Sequence, residues 1–196
     1  MDRINADVKS DSATFRTLLN DRKHTTERII YLNDTKPSRQ DTNYYDQQLS
    51  YAFKPVRLII EARQNIKTCF RFKLHCQEYT KEPYFRFDSD GATHRNSDKN
   101  LPLPKQIVKT PHFNTFDNNG VELAYRTNEL ENPTTEAILL NDISLCFAHY
   151  CHESNIRFPQ EELSEVIPFP MYILPLDTSN EDPLANIDFN GYNKTF

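Results

Sequence analysis

The chain predicts an α+β fold: one antiparallel β-sheet of about four to six strands, an N-terminal and a C-terminal helix packed on it, and an extended C-terminal arm. Three observations carry this. Between Val56 and Phe87 apolar and charged residues alternate in several short runs, the pattern of strands with one buried face. Asn119 and Gly120 separate two extended runs, and Asn-Gly is the strongest short-range hairpin signal. Beyond Pro133 the apolar residues Leu139, Leu140, Ile143, Phe147 and Tyr150 fall on one helical stripe, which must cover a sheet face.

In chain order, SDSATFRTLLNDRKH (10–24) opens with N-cap residue types and sets Phe15, Leu18 and Leu19 at helical spacing, which predicts a short amphipathic helix. A strand is expected within 26–33. The segment 33–48 is polar, holds Pro37 and has no period, so it is expected to be an exposed loop or a partly disordered crossing. Val56, Leu58 and Ile60 form the buried set of the next strand, and Phe70, Phe72, Leu74 and Cys76 that of its hairpin partner. Residues 84–87 give a third strand, ended by the turn sequence Asp88-Ser89-Asp90-Gly91. Strands over 106–116 and 121–127 flank the Asn-Gly turn. Asn132 caps a helix that Pro133 opens. Two units are expected: an α+β domain over 1–158 and a proline-rich, acidic arm over 159–196, which either wraps the domain through Phe169, Tyr172 and Leu174 or docks on a partner.

Composition excludes several classes of function. Gly91, Gly120 and Gly191 are the three glycines, too few and too scattered for a phosphate-cradling loop or a dinucleotide fingerprint, so no cofactor is expected. No apolar run approaches the ~20 residues of a membrane span and the first residues are polar, which predicts a cytoplasmic protein without membrane contact. Cys69, Cys76, Cys146 and Cys151 lie in apolar segments without zinc-site spacing, and are expected to be buried reduced thiols. The net charge is −5, yet residues 54–109 carry twelve Lys and Arg against six Asp and Glu. That excess suits an anionic partner such as RNA, or is an ordinary solvated face.

The stretch HRNSDKNLPLPKQIVKTPHFN (94–114) holds two of the six histidines, His94 and His112, each two residues before an asparagine, Asn96 and Asn114. If the flanking strands are antiparallel neighbours, the two imidazoles converge. Histidine titrates near neutrality, so such a pair can act as base and acid in metal-free phosphodiester cleavage. Arg86 and Arg95 would then stabilise charge on phosphate. Asp88 would orient an imidazole, and Asn96 and Asn114 would hold a ring or a substrate oxygen. The competing reading is that the same residues tie down an irregular loop. A metal site is disfavoured, because only Asp88, Asp90 or Asp98 stand near enough to complete one. His149 and His152, three apart on the last helix, are expected to be surface or helix-terminal charges.

The series FRFDSDGATHRN, TPHFN, VELAYRT and CFAHYCHESNI resembles a family of small uncharacterised bacterial proteins. Its strand reads Arg-x-Asp, followed by Pro-His-x-Asn and Pro-His-x-His motifs, and the family is similar to the TumE-like toxins of toxin–antitoxin and phage-defence loci. The resemblance covers roughly residues 55–159 and matches Arg86, Asp88, His94, Asn96 and His112. Thr93 stands where the family has proline, and Asn114 replaces the second histidine of Pro-His-x-His. The resemblance implies a toxin or host–phage context, and with the paired histidines it leads to the expectation of a metal-independent endoribonuclease. The alternative is a non-enzymatic inhibitor from a phage or mobile element that binds a host defence complex, or an antitoxin-bound protein, through the C-terminal arm.

Overall fold

Alternation along successive strands builds a sheet with an aromatic face and a polar face. The computed structural model describes residues 4–97, 102–158 and 164–168. Seven strands form the main sheet: β1 (Asp34–Lys36), β2 (Arg39–Gln48), β3 (Arg57–Arg63), β4 (Phe70–His75), β5 (Phe85–Asp88), β6 (His112–Phe116) and β7 (Glu122–Tyr125). Each pairs antiparallel with its neighbours in sequence, so the spatial order is an unbroken meander from β1 to β7. The four to six strands expected become seven.

Leu58 and Ile60 of β3, Phe70, Phe72 and Leu74 of β4, Phe85 and Phe87 of β5 and Phe113 of β6 are fully buried and belong to one core. Among the described residues five α-helices accompany the sheet: α1 (Ala6–Ser10), α2 (Ser12–Asn20), α3 (Asn128–Glu131), α4 (Pro133–Asn141) and α5 (Ile143–Glu153). Helix α5 covers the aromatic face: Phe147 meets Phe72 at a ring separation of 5.3 Å and Tyr150 meets Phe85 at 5.4 Å. Burying each such ring contributes roughly 1.5–3 kcal/mol. The Tyr150 hydroxyl donates to the Phe85 carbonyl, so its polar end is not left unpaired in the core. Cys76, Cys146 and Cys151 are buried free thiols, whereas Cys69 is only half buried. Burial raises the pKa of all four.

Three expectations need correction. Segment 33–48 is the β1–β2 hairpin, not a loop. Its polarity hid it, because Thr42 and Asn43 are buried polar residues and Tyr45 is the apolar contribution of that strand to the core. Asn43 Nδ2 donates to the Pro168 carbonyl and its Oδ1 accepts from Gln64, so hydrogen bonds replace apolar contacts there. The single helix expected after Pro133 is two, since Asp142 leaves helical geometry and its carboxylate caps α5 by accepting from the Ser144 and Leu145 amides. The helix expected within 10–24 forms as α2 but is shorter, starting from the Asp11 cap and giving way to an extended Lys23–His24, and the separate α1 precedes it. The strand expected within 26–33 is Ile29–Tyr31, paired in parallel with Glu165–Ile167. The rest of the proposed C-terminal arm, with Phe169, Tyr172 and Leu174, lies outside the described residues. Among the described residues no helix is long and apolar enough to cross a membrane.

Lys23 is completely buried, and its ammonium donates to the carbonyls of Leu18, Leu19 and Asp21. It thus closes the C-terminus of α2, whose last carbonyls lack partners of their own. Burial pushes its pKa down to about 8 against the opposing pull of Asp21.

The Asn-Gly hairpin between β6 and β7 forms as the sequence predicts. Asp117 Oδ1 accepts from the Asn119 and Val121 amides, and Gly120 takes φ +75°. A Cβ on Gly120 would lie 2.2 Å from the Asn5 carbonyl oxygen, a backbone atom with little room to move. Gly120→Ala is therefore expected to lower stability by more than about 1 kcal/mol, read as a lower urea midpoint with an unchanged slope.

Candidate functional site

On the polar face, register gathers residues that are far apart in sequence. Glu61 of β3 is paired with Arg71 of β4, Arg71 with Asp88 of β5, and Asp88 with His112 of β6. One step along, Lys73, Arg86 and Asn114 form a second row across the same three strands. Side chains opposite one another in such rows are in contact range.

Asp88 is the hub of both rows. Its Oδ1 forms an ion pair with Arg71 Nε at 2.9 Å, and its Oδ2 accepts from Arg86 Nε at 2.7 Å and Asn114 Nδ2 at 2.9 Å. His112 Nε2 stands 3.9 Å from Oδ2, beyond hydrogen-bond reach. Because an ionised carboxylate only accepts, the bond to Asp88 fixes the Asn114 amide with Nδ2 inward. Asn114 Oδ1 and His112 Nδ1 are then buried polar atoms without a hydrogen-bond partner.

His94 arrives by a separate route. His94–Arg95 pairs antiparallel with Ile107–Val108, and the ribbon is fastened to the free edge of β7 by Asn96. The Asn96 side chain donates to the Ala124 carbonyl at 2.7 Å and accepts from the Ala124 amide at 2.8 Å, imitating one rung of a β-ladder. The His94 and His112 rings consequently face each other edge to face with centroids 6.4 Å apart. The convergence anticipated from the sequence is present.

The two imidazoles and the Asp88 hub share a cleft of about 350 Å³ lined also by Arg71, Lys73, Asp90 and Glu122. Of the residues expected at a site, Arg86, Asp88, His94, His112 and Asn114 line it and Asn96 and Arg95 do not. Asn96 spends its amide on the sheet edge, and Arg95 Nε donates to Gln106. Arg71 and Lys73 were read only as the solvated half of an alternating strand, and nothing local in the sequence distinguishes them. Their cross-strand partners do. Lys73 is fixed below the cleft by Glu61 at 2.5 Å, which also holds Lys36 at 2.7 Å. Burial works to raise the Glu61 pKa, but the two ammonium groups outweigh it and the carboxyl is held below the usual range. His149 is not a surface charge: it is half buried, bonded to the Thr127 hydroxyl and packed against Phe113. Among the described residues no three or more His, Cys, Asp or Glu gather as a metal-binding group.

Burial lowers the His112 pKa below 6.5, with His94 and Arg86 adding to the fall and Asp88 and the Lys109 backbone opposing it. Burial therefore biases His112 towards the neutral imidazole. No protein-family model, curated protein or solved structure matches this chain.

A titration follows from this burial. Well above pH 6.5 the His112 ring is neutral in folded and unfolded chains alike. As pH falls from 6.5 towards the lower folded value, the unfolded chain takes its proton first and stability drops. His149 is also depressed by burial and adds a parallel loss. His112→Gln is expected to flatten, without abolishing, the fall in urea-unfolding free energy between pH 7 and 5. Asp88→Asn is expected to move the His112 midpoint further down in an NMR titration, since the carboxylate is what opposes burial.

Proposed function

We propose that the chain is a toxin-like, metal-independent endoribonuclease whose reaction is carried out between His112 and His94. The observation that carries the reading is their placement: two imidazoles 6.4 Å apart in a cleft that also presents the guanidinium groups of Arg71 and Arg86. In-line displacement at phosphorus needs a base and an acid on opposite sides of the phosphoryl group, each within about 3 Å of the oxygen it serves. Rings separated in this way can bracket one phosphodiester. A loop-fastening role does not require the two rings to share a cleft, and the fastening is already supplied by Asn96.

His112, kept neutral by burial, takes the proton from the ribose 2′-hydroxyl. The freed oxygen attacks phosphorus, the bond to the 5′-oxygen breaks, and that oxygen receives a proton from His94. The products are a 2′,3′-cyclic phosphate and a 5′-hydroxyl. Arg71 and Arg86 are each held through Nε by Asp88; Glu122 stands 3.6 Å from Arg86 Nη2, so the terminal nitrogens of Arg71 and Nη1 of Arg86 are the donors left for the phosphoryl oxygens, already aligned as charge builds there. Asp88 is a positioning residue here, since both of its oxygens are occupied by the arginines and Asn114. The Asn114 replacement of the family's second Pro-His-x-His histidine does not remove the chemistry in this scheme, because the partner of His112 is His94.

The toxin context comes from the motif resemblance and is part of the proposal. Induced expression in a bacterial host is expected to arrest growth with fragmentation of total RNA. His94→Ala and His112→Ala are each expected to lower the cleavage rate of a purified RNA about 10²- to 10⁴-fold, chelators are expected to have no effect, and the acidic limb of the rate profile should lie below pH 6.5, as the depressed base requires. Intact RNA with unchanged growth would reject the enzyme and leave a binding function.

A further inference from the structure

The polar face does not end at the cleft. Beyond Arg71, on the β2–β3 side, a second hollow is lined by Arg39, Arg63, Arg71, Thr42, Glu61 and Cys69. Arg71 is the wall between the two. From the rest of this hollow we infer a subsite, resting on the ribonuclease reading, for a flanking phosphate of single-stranded RNA, with Arg39 and Arg63 as its ligands.

Three features support the inference. The first is donor supply. Arg63 uses Nη2 on Asp41 at 3.0 Å, while Arg39 approaches the same carboxylate only to 4.0 Å. Each guanidinium therefore keeps N–H groups for a ligand. The second is exposure: the side chains of Arg39, Arg63 and Arg71 are 55%, 29% and 41% exposed, so a ligand can reach all three. The third is spacing. Arg63 lies beside Cys69 on the next strand, its amide donating to the Cys69 carbonyl, and Arg71 is two residues further along that strand. Arg86 is displaced from Arg71 by the same kind of step, one strand across and two residues along. With strands about 4.8 Å apart and about 3.4 Å per residue, each diagonal is roughly 8 Å. Long side chains span that interval to meet successive phosphates of an extended strand, which is how open cationic grooves follow a nucleic-acid backbone.

Charge gives the track a direction. Around this hollow Lys36, Arg39, Arg63, Arg71 and Lys73 face Asp41, Glu61, Asp88 and Asp90, five cations against four carboxylates. At the opposite rim Arg86 meets Glu122 at 3.6 Å, which returns that side to neutrality. A polyanion leaving the cleft is drawn towards Arg63. The alternative role of the Asp41 pairs, holding the sheet surface together, would add little, since exposed ion pairs contribute about 0–1 kcal/mol.

The test uses the full chain carrying His94→Ala and His112→Ala, which binds without cleaving, and a labelled single-stranded oligouridylate followed by fluorescence anisotropy over a salt series. Adding Arg39→Ala and Arg63→Ala is expected to weaken binding roughly tenfold at low salt and to reduce the slope of log affinity against log salt by about 0.7 per lost phosphate contact. Arg39→Lys with Arg63→Lys should restore most of both. An unchanged affinity and slope overturns the subsite, as does failure of the inactive parent to bind. Equal competition by a poly-glutamate peptide of matched charge also overturns it, because the face would then be a protein-docking surface. The two readings separate cleanly: arginine-dependent binding by a wild type that cleaves no RNA rejects the reaction and keeps the subsite, whereas cleavage with arginine-independent binding does the reverse.

Discussion

Much of the polar face depends on one carboxylate. Asp88 ends β5 with its neighbours β4 and β6 on either side, is nearly buried, pairs with two guanidiniums and accepts from an amide. A carboxylate in that position is costly unless its lone pairs are filled. Arg71 from one side, Arg86 from its own strand and Asn114 from the other fill them, and their orientations are fixed in return. The aromatic face has a comparable logic in apolar form, with Phe72 stacked on Phe87 and Phe113 tilted against Phe87 across the same strands. The same three strands therefore carry the core on one side and the cleft on the other, and the cleft inherits the rigidity of the core.

How much of this was legible in the sequence depended on whether the signal was local. The β3–β4 hairpin, the Asn-Gly turn and the Asn132 cap are written in adjacent residues and appear as expected. So does the meeting of His94 and His112, because the intervening segment is long enough to return and both flanks are extended. Strand β2 was invisible because its buried side chains include the polar Thr42 and Asn43 beside Tyr45, and the partners of Asn43, Gln64 and Pro168, are supplied by distant parts of the chain. Hydropathy cannot register a polar group whose burial is offset by a hydrogen bond. Asp142 looked like an interior helix residue, since the apolar stripe continues past it and only its backbone geometry shows the break.

The arginines of the cleft illustrate the same limit. Arg86 and Asp88 sit in one short motif, so their association could be anticipated. Arg71 lies seventeen positions before Asp88 in the chain, and in β4 it is indistinguishable from any charge on the outward half of an alternating strand. Only register places it opposite Asp88. Asn96 shows the converse, a residue whose type and spacing suggested ligand contact but whose amide is spent on the backbone of Ala124. It matters to the site all the same, because that rung holds the ribbon that carries His94.

The crowding around Asp88 also determines the state of His112. Were the carboxylate free to bond the imidazole, it would favour the charged ring and make His112 an oriented, protonated partner. Two arginines and Asn114 occupy it instead, the ring stays 3.9 Å away, and burial prevails. The arrangement thus separates two tasks that a histidine–aspartate pair would combine: the carboxylate organises the cations, and the imidazole remains neutral and able to accept a proton. A neutral base beside pre-aligned guanidiniums is suited to a reaction in which a proton leaves a hydroxyl while negative charge accumulates on neighbouring oxygens. The proposed phosphodiester reaction therefore rests on the positions of the arginines as much as on those of the histidines.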